Sequence, residues 1–174
     1  RDPRRFGMVY MTRANENIAQ HPAFLTMGPE PLGNEFAGPI LFDRLKNKKT
    51  PIKSALLDQR VVAGLGNIYV CEALYRSGIH PETQAFKIPQ DKCDDLARHI
   101  KNILNEAIRS GGSTLKDYRH TDDGLGYFQH SFAVYDREGL ACPACDCDMM
   151  ATGGIKRIVQ AGRSTFYCPQ KQKK

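Results

Sequence analysis

The 174-residue sequence predicts an α+β chain in which a fragment of β structure leads into a helical body over about 35–118 and a small cysteine-bearing β module over about 130–174. Three observations predict it. Between positions 90 and 109, Leu96, Ile100, Ile103, Leu104 and Ile108 recur at three- and four-residue steps, the period of one helix face. Residues 151–168 alternate around a Gln160-Ala161-Gly162-Arg163 turn, as a β-hairpin does. Cys142, Cys145, Cys147 and Cys168 all fall in the last module.

The elements follow in chain order. Residues 5–12 alternate large side chains and read as a strand, and residues 13–34 read as loop, with Gly28-Pro29-Glu30-Pro31-Leu32 a rigid turn. A short helix is expected over 35–45, burying Phe36, Ile40, Leu41 and Leu45. Thr50 as N-cap and Pro51 at the first helical position open the next, with Ile52, Ala55 and Leu56 inward. Gly64 and Gly66 break it. Asn67 is expected to cap a helix over 68–77 that Gly78 ends. The 90–109 helix has Asp94 and Asp95 early and Arg109 late, as the helix dipole prefers, and stops at Gly111-Gly112. A polar loop is expected at 120–126, and a strand and turn at 132–142. Cys71 and Cys93, alone in helical segments, read as core.

Composition excludes several classes. With 41% hydrophobic and 25% charged residues the chain is neither collagen-like nor disordered, and it is long enough to bury a core. No apolar run approaches the ~20 residues of a membrane span, and no secretory signal opens the sequence. The net charge of +6 favours a polyanionic partner, nucleic acid first. The charge sits at the ends: Arg1, Arg4, Arg5 and Arg13 against Asp2, and Lys156, Arg157, Arg163, Lys171, Lys173 and Lys174 against Asp146 and Asp148.

Four motifs can carry chemistry. Cys142-Pro-Ala-Cys145 makes a first zinc knuckle, because Zn²⁺ takes four tetrahedral ligands and favours thiolates. The matching Cys168-x-x-Cys is absent, since position 171 is Lys, a protonated non-ligand near neutral pH. Cys147 can complete the set, with 20 residues between it and Cys168; the alternative is a metal-free hairpin with leftover thiols. Gly64-Leu65-Gly66-Asn67 at a helix start offers backbone N–H groups to a phosphate, with Lys53 upstream, or is merely a tight link between helices. Arg4-Arg5-Phe6 suits phosphate contact plus a wedge between bases, or is a strand end. Arg163, at a hairpin tip, can meet a nucleic-acid backbone, or is a solvated turn residue.

The order of these motifs resembles a known family. Asp2-Pro3-Arg4-Arg5-Phe6-Gly7, Gly28-Pro29-Glu30-Pro31-Leu32, Ile52-Lys53, Gly64-Leu65-Gly66-Asn67-Ile68-Tyr69, Gly78-Ile79-His80-Pro81, Gly111-Gly112-Ser113-Thr114-Leu115-Lys116-Asp117, Gly126-Tyr127-Phe128 and Gly162-Arg163-Ser164-Thr165-Phe166-Tyr167-Cys168-Pro169 resemble formamidopyrimidine-DNA glycosylase across essentially the whole chain. The match is to the C-terminal two thirds of that enzyme. It implies the end of a β-sandwich and linker at 1–34, a helix–two-turn–helix DNA-binding domain at 35–129 and a zinc-finger β-hairpin at 130–174. The implied activity is DNA base-excision repair by a glycosylase and AP lyase that flips out oxidised purines (8-oxoguanine, formamidopyrimidines), excises them and cuts by β,δ-elimination. The implied partner is double-stranded DNA with oxidised purines or abasic sites, bound by an intracellular monomer. Arg4 and Arg5 would then contact DNA and Phe6 wedge the stack. Lys53 and Asn67 would hold phosphates. Lys116 would belong to the loop over the extruded base. Arg163 would bind phosphate and assist δ-elimination, and zinc, one per chain, would sit on Cys142, Cys145, Cys147 and Cys168.

Two departures from the family stand out. Its nucleophile is an N-terminal proline amine followed by Glu, whereas this sequence opens Arg1-Asp2-Pro3 without Met, as a truncated or processed chain would, so by itself it is expected to be inactive. The second departure is Lys171 in place of a cysteine. The alternative function is a DNA-binding module that does not cut. A helix–two-turn–helix RNA-binding protein fits less well, because of the Arg4-Arg5-Phe6 wedge and the Gly162-Arg163-Ser164 tip.

Overall fold

A computed structural model describes residues 9, 11, 13, 17, 20–22, 24–113 and 127–174. Five helices, two short 3-10 turns and one hairpin make up the described regular structure: α1 (Gly38–Leu45), α2 (Ile52–Leu57), α3 (Asn67–Arg76), α4 (Gln90–Arg109), the four-residue α5 (Met149–Thr152), β1 (Lys156–Gln160) and β2 (Arg163–Tyr167). The expected strand at 5–12 and loop at 120–126 lie outside the described residues, apart from Val9 and Met11.

The helix over 90–109 has the bounds its periodicity predicts. It buries Cys93, Leu96, Ala97, Ile100, Ile103 and Ala107, while Ile108 is 63% exposed: at 3.6 residues per turn the seam passes to Ala107. α1 lies across α4 so closely that a Cβ at Gly38 would stand 2.6 Å from the Asp94 Cα. α1 starts three residues later than expected, with Pro39 in its first turn, where a missing N–H costs nothing. Its buried side chains are Leu41 and Leu45; Phe36 reaches the core from outside the helix, and Ile40 faces solvent.

Two caps differ from expectation. Thr50 does not cap α2, whose cap position is Pro51. The first-turn donors are satisfied from outside: Ile52 N–H donates to Thr83 O and Lys53 N–H to Pro81 O, while Thr50 O accepts from Ala85 N–H. Asn67 is the first residue of α3 and not its cap, which is Gly66 without a side-chain bond. Gly78 (φ +66°) does end that helix as expected, and Cys71 and Cys93 are core.

α3 is the wall between two apolar clusters. Val70, Ala73 and Leu74 face the large core shared by α1, α2 and α4. Cys71 and Tyr75 face a smaller one with Val134, Cys142, Ile155, Phe166 and Cys168. The hairpin pairs Lys156 with Tyr167 through Gln160 with Arg163, around Ala161 and Gly162, both at positive φ as a two-residue primed turn requires. No strand forms over 132–142. The Glu72 carboxylate, 1% exposed, accepts from the N–H groups of Ala133 (3.0 Å), Val134 (3.0 Å) and Tyr135 (2.9 Å), and so takes the donors a strand would offer a neighbour.

Candidate nucleic-acid interface and metal centre

The turn before α3 is built to leave backbone open. Gly64 sits at φ +70°, a conformation side-chain-bearing residues rarely adopt, and a Cβ at Gly64 or Gly66 would meet nothing within 4 Å. The Gln59 Oε1 accepts from Gly64 N–H at 2.6 Å and fixes the turn. Beside it a cleft of about 350 Å³ is lined by Ser54, Gln59, Gly64, Gly66, Ala161 and Arg163, so the α2–α3 turn and the hairpin tip share one concavity. The ten-residue α3 begins at its edge, with its positive dipole end there.

Asn67 joins the two walls. Its Nδ2 donates to Ser164 O at 3.0 Å, while its Oδ1 is buried without a partner. Lys53 is fully buried, and its Nζ has no hydrogen-bond partner. Burial pushes the Lys53 pKa down, the Cys71 thiol opposes this, and the Arg163 charge adds to the lowering. A buried amine and a guanidinium that feel each other's charge, next to open backbone at a helix start, are groups that can receive an anion. Arg163 is exposed at the start of β2. Of the predicted DNA-contacting residues, Lys53, Asn67 and Arg163 therefore come together, although Lys53 lies inside the core and not on a helix surface. Arg4, Arg5, Phe6 and Lys116 lie outside the described residues.

The four bunched cysteines converge. The sulfurs of Cys142, Cys145, Cys147 and Cys168 all lie within 4.8 Å of one another. Cys168 Sγ is 3.5 Å from Cys145 Sγ and 3.3 Å from Cys147 Sγ. A tetrahedron with metal–sulfur bonds of about 2.3 Å has edges of about 3.8 Å, so four sulfurs gathered this closely are a donor set that can hold one metal ion once Cys145 and Cys147 are both thiolates. Cys145 and Cys147 are drawn together as a disulfide. That pairing and a four-thiolate centre exclude each other, and the closeness of Cys168 to both sulfurs favours the centre. Burial works to raise the Cys142 thiol, but hydrogen bonds from Tyr75 and the Ala144 backbone bring it below its ordinary value. Burial raises the Cys168 thiol.

Several organising residues escaped the sequence reading. Glu72, among Val70, Cys71, Ala73 and Leu74 on a buried helix, is the one with a local signal: an acid on an otherwise apolar stretch needs donors. Gln172 donates to Ile79 O (2.8 Å) and accepts from Cys168 N–H (2.9 Å), and Gln160 donates to Pro81 O, so the α3–α4 connection grips the hairpin module. The His80 ring packs edge-on to Tyr167, with centroids 4.7 Å apart. No sequence pattern announces these contacts.

A family profile described as the formamidopyrimidine-DNA glycosylase H2TH domain matches residues 27–119. The chain is 53% identical over 173 residues to formamidopyrimidine-DNA glycosylase of Rhodospirillum rubrum and 55% identical over 172 residues to that of Rhodospirillum centenum. These alignments cover 99% of this chain, which spans 61% and 59% of the two relatives. Among solved structures it resembles MutM (Fpg) of Thermus thermophilus with a TM-score of 0.85 and 43% identity, over 98% of this chain and 62% of that one. It also resembles Lactococcus lactis Fpg in complex with abasic-site DNA, with a TM-score of 0.78 and 36% identity, over 88% of this chain and 55% of that one. No described helix is long and apolar enough to cross a membrane. With over half of its residues matched by the profile, the chain belongs to the formamidopyrimidine-DNA glycosylase H2TH-domain family.

Proposed function

We propose that this chain is the DNA-holding part of a base-excision repair glycosylase and AP lyase that acts on oxidised purines such as 8-oxoguanine and formamidopyrimidines. The observation that carries the reading is the unpartnered buried ammonium of Lys53 beside Arg163 and the open Gly64–Gly66 backbone. A duplex phosphate is the anion this arrangement suits, and the complexes of Lactococcus lactis Fpg with abasic-site and Fapy-dG DNA support it. Work on chromosomal DNA implies an intracellular protein.

The roles divide by chemistry. The α3 N-terminus and Asn67 hold a phosphate flanking the flipped nucleotide, and Lys53 supplies charge from beneath. Arg163 contacts phosphate from the hairpin tip and assists δ-elimination. Arg4, Arg5 and Phe6 face the gap left by the flipped base, and the loop carrying Lys116 covers that base. Zinc on Cys142, Cys145, Cys147 and Cys168 holds the hairpin in place. The domains run 1–34, 35–129 and 130–174. Flipping needs wedge, clamp and cover together, because the unstacking cost of a few kcal/mol must be met by contacts to the distorted backbone.

Duplex binding is expected to weaken steeply with salt, and Lys53→Met is expected to lower affinity about tenfold and flatten the salt slope by about one counterion. The same substitution is expected to leave thermal stability unchanged or raised, since a desolvated cation without a partner is removed. Fluorescence anisotropy across a salt series, with a melting curve beside it, checks both. Undiminished affinity in Lys53→Met would remove Lys53 from the interface.

Catalysis separates the glycosylase from a module that binds without cutting. A polypeptide of these 174 residues, opening on Arg1, is expected to bind 8-oxoguanine duplex without forming a borohydride-trapped adduct, because the proline amine of the Schiff-base mechanism is not among them. Efficient trapping at the lesion would mean that another amine of this chain is the nucleophile.

A further inference from the structure

We propose that Tyr75 and Lys171 are positioning residues of the metal centre: the Tyr75 hydroxyl donates to the Cys142 sulfur, and the Lys171 ammonium above the Tyr75 ring strengthens that donation and offsets the thiolate charge. This rests on the four-cysteine reading given above. Tyr75 is 2% exposed on α3, and its hydroxyl oxygen lies 3.1 Å from Cys142 Sγ. The Lys171 Nζ stands 4.4 Å from the centre of the Tyr75 ring. The Lys171 backbone N–H also points at Cys168 Sγ, at 3.4 Å.

The chemistry follows from charge. Four thiolates around one divalent ion leave two negative charges uncompensated, and hydrogen bonds to sulfur spread that charge and lower its nucleophilicity. A phenol is a suitable donor, and a cation over its π face draws electron density from the ring and makes the O–H a stronger one. Lys171 does not hang there by chance of rotamer alone. The next residue, Gln172, is 1% exposed and tied to Cys168 and to Ile79 O, which fixes the backbone from which Lys171 reaches. The position that the family resemblance assigns to a cysteine thus carries a cation that serves the centre from outside it, while Cys147 takes up the ligand role. Because Tyr75 and Asn67 sit at opposite ends of α3, the same helix carries the DNA-facing turn and the donor to the metal ligand.

The 174-residue chain is loaded with Zn²⁺ or with Co²⁺, and Tyr75→Phe, Lys171→Met and Lys171→Arg are compared with it. Metal per chain, the Co²⁺ thiolate charge-transfer band, and the rate of zinc release under iodoacetamide are read. Tyr75→Phe is expected to keep its zinc, bind it about tenfold more weakly and release it about tenfold faster, since removing a partner of a metal ligand has effects of that order. Its charge-transfer band moves to longer wavelength as the sulfur loses its donor. Lys171→Met moves the band and the rate the same way by less, and Lys171→Arg restores both. If Tyr75→Phe does not melt cooperatively, the Lys171 pair carries the test through the same band. A parent that binds zinc while Tyr75→Phe and Lys171→Met share its band and release rate overturns this inference and leaves the four-cysteine centre standing. A parent that takes up neither metal overturns the centre itself, and the inference with it.

Discussion

Zinc is expected at one per chain, and stripping it is expected to unfold the hairpin module and lower duplex affinity by about 100-fold. The size follows from what the centre holds. Cys142 and Cys168 belong to the smaller apolar cluster, and the hairpin they anchor carries Arg163 and Ser164 O, the partner of Asn67. Losing the charge-assisted Arg163 contact together with the neutral Asn67–Ser164 O bond that places Asn67 costs about 2–4 kcal/mol, at about 1.4 kcal/mol per factor of ten. Small thiolate–zinc modules commonly unfold without metal, because the site barely exists in the unfolded chain. Cys147→Ser decides the ligand set. Zinc near one in the parent, lost or weakened in the variant, supports Cys147 as the fourth ligand beside Lys171. No zinc in either protein, with four freely titrating thiols, would make the hairpin metal-free. Metal analysis, thiol titration and anisotropy are the measurements.

Glu72→Ala is expected to be the most destabilising single substitution outside the cysteines, by about 3–5 kcal/mol. The carboxylate is buried and accepts three backbone N–H groups from consecutive residues of the loop that carries the module away from the helical body. Truncation strands all three donors, the Val134 N–H in a buried site and the other two in part-buried ones, and each such loss costs about 1–3 kcal/mol. At about 2–4 °C per kcal/mol for a chain of this size, melting is expected to fall by roughly 10 °C. Glu72→Gln keeps one acceptor oxygen and is expected to fall between the two. Circular dichroism melts measure the series. An alanine variant within about 1 kcal/mol of the parent would mean that solvent enters and satisfies the loop.

Much of this was legible in the sequence. α4 forms within its predicted bounds because five apolar residues repeat at the helix period, and the hairpin turns where expected, with Gly162 suited to its positive φ and Ala161 held at positive φ against its preference. The clustering of Cys142, Cys145, Cys147 and Cys168 followed from spacing and from the chemistry of thiolate ligands. These features are local: each needs only neighbours within a turn of helix, a hairpin or a knuckle.

The tertiary structure decided the rest, for a reason of distance along the chain. Asn67 looked like a cap by position, but its amide donates to Ser164 O, 97 residues away, while backbone carbonyls of Pro81 and Thr83 replace the expected Thr50 cap. Residues 132–142 had the composition of a strand, yet Glu72, some 60 residues earlier, takes their donors. Lys53 reads in sequence as a cation upstream of the Gly64–Gly66 turn, able to reach the same phosphate. Only packing buries it without a hydrogen-bond partner. Periodicity and turn chemistry are written in adjacent residues, so sequence determines them. Which distant donor meets which acceptor is settled when nearly every buried polar group finds a partner in one packed interior, and that condition exists only in the folded chain.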